Sequence, residues 1–253
     1  MESVSVKGAV LSALALGPAG APPVAMLHGL VWGSMASFYA PVASALAASF
    51  RVILYDQRGH GGSSAARAGY DLDSQANDLA AVLAHFGLAE TPVHLVGHSM
   101  GALIALRFAL RHPARLRRLV LLDAPMPASA HVAPSLRACA TASDIERLID
   151  AQVQGRRRAR LRQRLGALLC ESSLVADISG MGNEPESALA AYTGAVLLIY
   201  GRTSPCLAAC ASLRRALRHV EYDVLEAGHY LLEEAPEPVC AHLMRFLLAA
   251  EAA

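Results

Sequence analysis

The chain has 253 residues, 54% hydrophobic and 17% charged, and its 22 basic and 21 acidic side chains leave a formal charge of +1. So much apolar sequence excludes disorder over most of the length, and the near balance of charge speaks against a general nucleic-acid binder. No run reaches the roughly 18 uninterrupted apolar residues that a membrane span needs.

Taken in order, the apolar stretch after Lys7 reads as a strand rather than a secretory leader, since Val10, Leu14 and Leu16 alternate with smaller residues before the turn Gly17-Pro18-Ala19-Gly20. Short apolar runs then recur, each ending in a small, polar or glycine-containing turn. Val24-Ala25-Met26-Leu27 leads into His28-Gly29, Arg51-Val52-Ile53-Leu54-Tyr55 into Asp56, and Val93-His94-Leu95-Val96 into Gly97. Leu119-Val120-Leu121-Leu122 leads into Asp123, Ala195 to Tyr200 into Gly201, and Glu221 to Leu225 precedes Gly228. Runs that are apolar on both faces suit a parallel sheet covered by helices on each side. Helices are expected over 38–49, 73–86, 100–111, 205–217 and 236–250, with Asp73 or Ser74 capping the second, Pro113 stopping the third and Pro236 in the first turn of the last. The alternation is that of an α/β protein. From Pro125 to about Thr193 it gives way to polar, arginine-rich, helix-like sequence, so the expected division is a core of 1–124 and 194–253 and a helical cap of 125–193.

Chemistry concentrates in Gly97-His98-Ser99-Met100-Gly101, which follows one expected strand and opens one expected helix. Flanking glycines let the chain turn sharply there and hold a serine at the tip with its hydroxyl exposed. With these residues the sequence resembles the α/β-hydrolase fold family, and three further segments match in order. Leu27-His28-Gly29-Leu30 is similar to the family's oxyanion loop, Asp56-Gln57-Arg58-Gly59-His60-Gly61-Gly62-Ser63 to its turn after a core strand, and Gly228-His229-Tyr230 to its catalytic-histidine loop. The resemblance implies a mostly parallel eight-stranded sheet flanked by helices, with the cap inserted after the sixth strand. It implies Ser99 as nucleophile, His229 as base and the N–H groups of Leu30 and Met100 as oxyanion donors. It implies no metal and no organic cofactor.

One landmark is missing. The family's acid usually follows the glycine that ends the strand after the cap, and here that stretch is Gly201-Arg202-Thr203-Ser204-Pro205. A triad histidine without its acid can lose about 10⁴ in rate. Asp123, which ends the strand before the cap, is the expected replacement. Several lipases and the thioesterases that release polyketides place their acid there. Ser204 holding His229 as a weak dyad is the alternative. Trp32 and Tyr230 are expected to bind substrate together with His28, which also shapes the oxyanion loop, while His60 braces its turn and His94 and His98 pack.

Cys139, Cys170, Cys206, Cys210 and Cys240 form neither a disulfide framework nor a zinc spacing, which fits a reducing cytoplasm. Arg156, Arg157, Arg158 and Arg160 belong to a run that reads either as a solvated face or as a dock for an acyl carrier protein or coenzyme A. The sequence thus points to a cytoplasmic serine hydrolase of hydrophobic acyl esters or thioesters, in the manner of esterases and polyketide-type thioesterases. A non-catalytic binding protein of the same fold remains an alternative, as does an acyltransferase or cyclase using the same acyl-enzyme.

Overall fold

A strand that is apolar on both faces has to be covered on both faces, and the structure, a computed structural model describing residues 1–126, Ser143 and 158–251, covers each such run. β3 (Pro23–Leu27), β4 (Arg51–Tyr55), β5 (Val93–His98), β6 (Leu116–Leu122) and β7 (Ala195–Gly201) are buried along most of their length. With β1 (Glu2–Val6), β2 (Ala9–Leu16) and β8 (Val220–Leu225) they form one eight-stranded sheet in the order β1-β2-β4-β3-β5-β6-β7-β8. β1, which composition alone had not marked as a strand, pairs antiparallel with β2, and β2 pairs antiparallel with β4; all other pairs are parallel.

Alternation along each strand divides the core. Ala25, Leu27 and Leu95 point to one face, where helices Leu72–His85, Met100–Arg111 and Leu207–Ala216 pack; Val24, Met26 and Val96 point to the other, under helix Pro236–Leu248 and the 36–46 segment. Three helical details differ from expectation. Asp71, rather than Asp73 or Ser74, caps the second helix, because its extended backbone lets its carboxylate accept the Ser74 N–H at 2.9 Å. The helix expected over 38–49 is broken into Ala36–Phe38, a π turn Tyr39–Ala43 and Ser44–Leu46. Pro41 has no N–H to give, and the ladder resumes with the Ser44 N–H reaching back to the Tyr39 carbonyl. Pro205 precedes the helix that starts at Leu207.

Between β6 and β7 the described residues form helices Arg158–Cys170, Leu174–Gly180 and Glu186–Ala191. Leu165, Leu168, Leu169, Leu174 and Ile178 pack with Val31, Ala66 and Tyr70, so this segment lies over the loops that follow β3 and β4. Arg156 and Arg157 lie outside the described residues, as do the side chains of Arg158 and Arg160. Among the described residues no helix is long and apolar enough to cross a membrane.

The turn after β4 is held by a buried ion pair. Arg58 Nε and Nη2 donate to the two oxygens of Asp78 at 2.8 and 2.7 Å, and Nη1 donates to the Ala68 carbonyl at 2.7 Å. Burial pushes the Asp78 carboxyl upward and the guanidinium opposes it. Removing one partner strands the other charge without water, so Arg58→Ala is expected to lower unfolding free energy by about 3–5 kcal/mol in urea titration. The double change Arg58→Met, Asp78→Leu should recover most of that loss, and equal instability of both variants would mean that the turn depends on something other than the pair.

Candidate active site

β5 delivers Ser99 to the carboxyl edge of the sheet, where the chain must reverse into helix Met100–Arg111. A Cβ on Gly97 would lie 2.3 Å from the Gly101 carbonyl oxygen, and one on Gly101 would lie 2.1 Å from that of Leu27, so helix and strands approach this closely only with glycine at both places. Ser99 itself is held at φ 54° and ψ −119°. Only two other non-glycine residues among those described have positive φ, Val31 at 66° and Asp123 at 47°. All three residues border the same site, where such strain characteristically gathers.

His229 joins them. Its Nε2 accepts from Ser99 Oγ at 3.0 Å and its Nδ1 donates to Asp123 Oδ2 at 2.6 Å. The Asp123 carboxylate is fully buried and also accepts the Gly201 N–H on Oδ1 at 3.0 Å and the Ser204 hydroxyl on Oδ2. Ser204 in turn accepts the Cys206 N–H at 3.0 Å. Ser204 therefore holds Asp123, and no hydrogen bond joins it to His229 as the dyad alternative would require. Asp123, Cys206 and His229 also bring possible metal-ligating atoms within 4.8 Å of one another. Hydrogen bonds from Gly201, Ser204 and His229 already occupy the carboxylate, and burial pushes the Cys206 thiol up to about 12.

The amides near Ser99 are sorted by what they already bind. The Val31 N–H donates to His60 Nε2 at 2.8 Å, the Trp32 N–H to the Leu30 carbonyl at 2.8 Å and the Ser99 N–H to the Leu122 carbonyl at 2.9 Å. The N–H groups of Leu30 and Met100 enter none of the described hydrogen bonds, which leaves the pair singled out by the sequence open to an incoming oxygen. The Met35 N–H donates to Asp56 Oδ1 at 2.7 Å, so the turn after β4 clamps the loop after β3.

The histidines divide by environment. The buried His28 ring, expected at the substrate, donates from Nδ1 to the Gly29 carbonyl at 2.7 Å and accepts the Gln57 N–H on Nε2 at 3.0 Å, so both nitrogens are occupied within the fold. His60 braces more than its own turn, because its bond to the Val31 N–H fixes the oxyanion loop while Nδ1 donates to the Arg58 carbonyl at 2.9 Å. His98 likewise does more than pack. Its Nε2 donates to the His229 carbonyl at 2.8 Å, tying the elbow to the histidine loop. Glu234 fixes that loop from the other side, accepting the Gly228 N–H at 2.7 Å and the Tyr230 N–H at 3.2 Å. The sequence offered no periodic signal for these braces; the one clue to Glu234 was its position just past Gly228-His229-Tyr230.

Trp32 and Tyr230 do line the cavity in front of Ser99, together with Gly29, Leu30, Gly33, Ser37, Leu232 and Glu233. Its volume is about 60 Å³, small beside the several hundred Å³ typical of sites that enclose a ligand.

Comparison with known proteins adds to this geometry. A family model described as the alpha/beta hydrolase fold matches residues 22–173. The provisionally named carbamate hydrolase RutD of Variovorax paradoxus is 44% identical over 120 residues, which are 46% of this chain and 43% of that protein. The pimeloyl-[acyl-carrier protein] methyl ester esterase of Chromobacterium violaceum is 45% identical over 100 residues, 40% of this chain and 36% of that protein. The chain thus spans less than half the length of these curated relatives. The enol-lactonase of Burkholderia xenovorans LB400 superimposes with a TM-score of 0.80 over 98% of this chain and all of that one, at 22% identity, a level that speaks to fold alone.

Burial holds His28 and His98 down to about 4 and His60 to about 3, against an ordinary 6.5. The unfolded chain therefore takes up protons that the native state refuses. Stability contributed by these neutral rings is complete above about pH 7 and falls as pH drops from about 6.5 toward 4, by up to about 1.4 kcal/mol per unit for each ring. Denaturant titrations at successive pH values should show that slope, and His60→Gln should flatten it; an unchanged slope would locate the acid sensitivity elsewhere.

Proposed function

The chain belongs to the α/β-hydrolase fold family, and we propose that it is a serine hydrolase that cleaves esters of hydrophobic acyl groups through an acyl-Ser99 intermediate. The observation that carries this reading is the unbroken hydrogen-bond path from Ser99 Oγ through His229 to Asp123. In acylation Ser99 Oγ bonds to the carbonyl carbon, its proton passes to His229 Nε2, and the carbonyl electron pair moves onto an oxygen facing the Leu30 and Met100 amides. Re-formation of the double bond expels the alcohol oxygen, which takes the proton from His229. Water then repeats the sequence to release the acid and restore Ser99. Asp123 keeps the proton of the neutral ring on Nδ1 and stabilises the imidazolium formed in each half reaction. On this reading 125–193 is a cap over the site, and Leu165, Leu168 and Ile178 beside Val31 support it.

A thioester carried by coenzyme A or a carrier protein is the second reading. The name of the methyl ester esterase relative and the arginine run from Arg156 favour it. A purely binding role rested on the absent acid near Ser204, and the bond from Asp123 to His229 argues against it.

On a panel of p-nitrophenyl esters, Ser99→Ala should abolish turnover and Asp123→Asn should lower kcat by about 10⁴, both with an unchanged circular dichroism spectrum. Ser204→Ala removes one hydrogen bond to the buried carboxylate and should cost about tenfold. Asp123→Asn within tenfold of wild type would place the acid elsewhere and sink the proposed triad.

A further inference from the structure

Among the described residues the cavity in front of Ser99 is too small to enclose a whole ester of ordinary size, and the surface beside it offers further room. An open groove of about 730 Å³ shares Ser37, Leu232 and Glu233 with that cavity and runs between the 36–41 segment and helix Pro236–Leu248. Its walls are largely apolar, formed by Ala40, Pro41, Leu232, Pro236 and Met244 among others, and its acidic residues are Glu233 and Glu237. Glu233 belongs to both spaces and so stands at the junction. Unlike Glu234, neither carboxylate enters a described hydrogen bond or ion pair, and both side chains are exposed.

The chemistry decides which arm of the ester enters the groove. The leaving oxygen must lie within reach of His229 Nε2 to take its proton, so the alcohol arm departs on the side of the histidine loop. Leu232 and Glu233, just past that loop, line both the cavity and the groove. Apolar walls take hydrocarbon, and unpaired carboxylates at the junction and along the wall favour positive charge and repel negative charge. Resting on the esterase reading above, we propose that this groove binds the alcohol arm of the substrate and selects an arm carrying a quaternary or protonated nitrogen over an anionic one. This places amino-alcohol esters ahead of the phosphate-bearing thioesters of coenzyme A.

The test compares kcat/KM at low ionic strength for choline butyrate, its uncharged carbon isostere dimethylbutyl butyrate, and a carboxyalkyl butyrate of similar length. The expected order is cationic, then neutral, then anionic, with about a fivefold step between neighbours, as suits exposed charges that salt can screen. High salt should compress the series, and Glu233→Gln with Glu237→Gln should shrink the ratio of cationic to neutral turnover toward one, the neutral ester serving as reference within each variant. Neutral turnover with no preference for the cation, or a preference that survives in the double variant, overturns the proposal. Failure of all three esters would instead count against the esterase reading. Titration calorimetry of choline against dimethylbutanol would then still read the groove: tighter choline binding, lost in the double variant, supports the proposal, and equal affinity of the two alcohols overturns it.

Discussion

The buried carboxylate of Asp123 ties together three separate parts of the chain. It directly follows β6, accepts hydrogen bonds from the Gly201 amide at the end of β7 and the Ser204 hydroxyl beyond it, and accepts another from Nδ1–H of His229 in the loop after β8. A carboxylate without water is tolerable only when its oxygens are filled by donors, and here they are. The arrangement therefore cannot be dismantled piecemeal. Shifting β7 against β6 would remove the Gly201 donor, and losing the serine would leave Oδ2, which has no access to solvent, with the His229 donor alone.

That constraint accounts for the strain around the site. Val31, Ser99 and Asp123 adopt positive φ where neighbouring strands end, and each is held by bonds that leave little choice. The Val31 amide is committed to His60, the Ser99 amide to Leu122, and the Asp123 amide to the Ile199 carbonyl at 2.8 Å. Three residues in a costly backbone region aim one hydroxyl, one loop of amides and one carboxylate at a common point, and the layered core on both sides of the sheet supplies the stability that such geometry consumes.

Much of this was legible in the sequence because it rests on local chemistry. Double-faced apolar runs ending in glycine or aspartate gave the parallel strands, and the spacing Gly97-His98-Ser99-Met100-Gly101 placed a serine between strand and helix. Asp123 came from the resemblance, since Gly201-Arg202-Thr203-Ser204 lacks any acid and some members of the family carry theirs at the end of the earlier strand. What escaped depends on contacts between distant residues. His98 reaches the histidine loop and His60 the loop after β3, the latter from 29 residues away, each through one hydrogen bond, while Glu234, close in sequence, holds the histidine loop through two; none leaves a periodic trace. The π turn at Tyr39–Ala43 turned on one missing amide, and Asp71 took the cap from Asp73 because its backbone, not its residue type, was extended.

His28, His60, His98 and His229 stand close together, yet only His229 keeps part of its ring exposed. The first three are buried, and burial keeps them neutral; each of these rings donates to a carbonyl, and His28 and His60 also accept from an amide. His229 keeps 24% of its side chain exposed and is bonded instead to a hydroxyl and a carboxylate. The same side chain thus serves as a rigid hydrogen-bonding plate in the interior and, on the proposed mechanism, as a proton carrier at the rim. Desolvation and partner, rather than residue type, assign the two roles. On the proposed mechanism, the rigid set holds the 3.0 Å contact between Ser99 Oγ and His229 Nε2 along which the proton would pass.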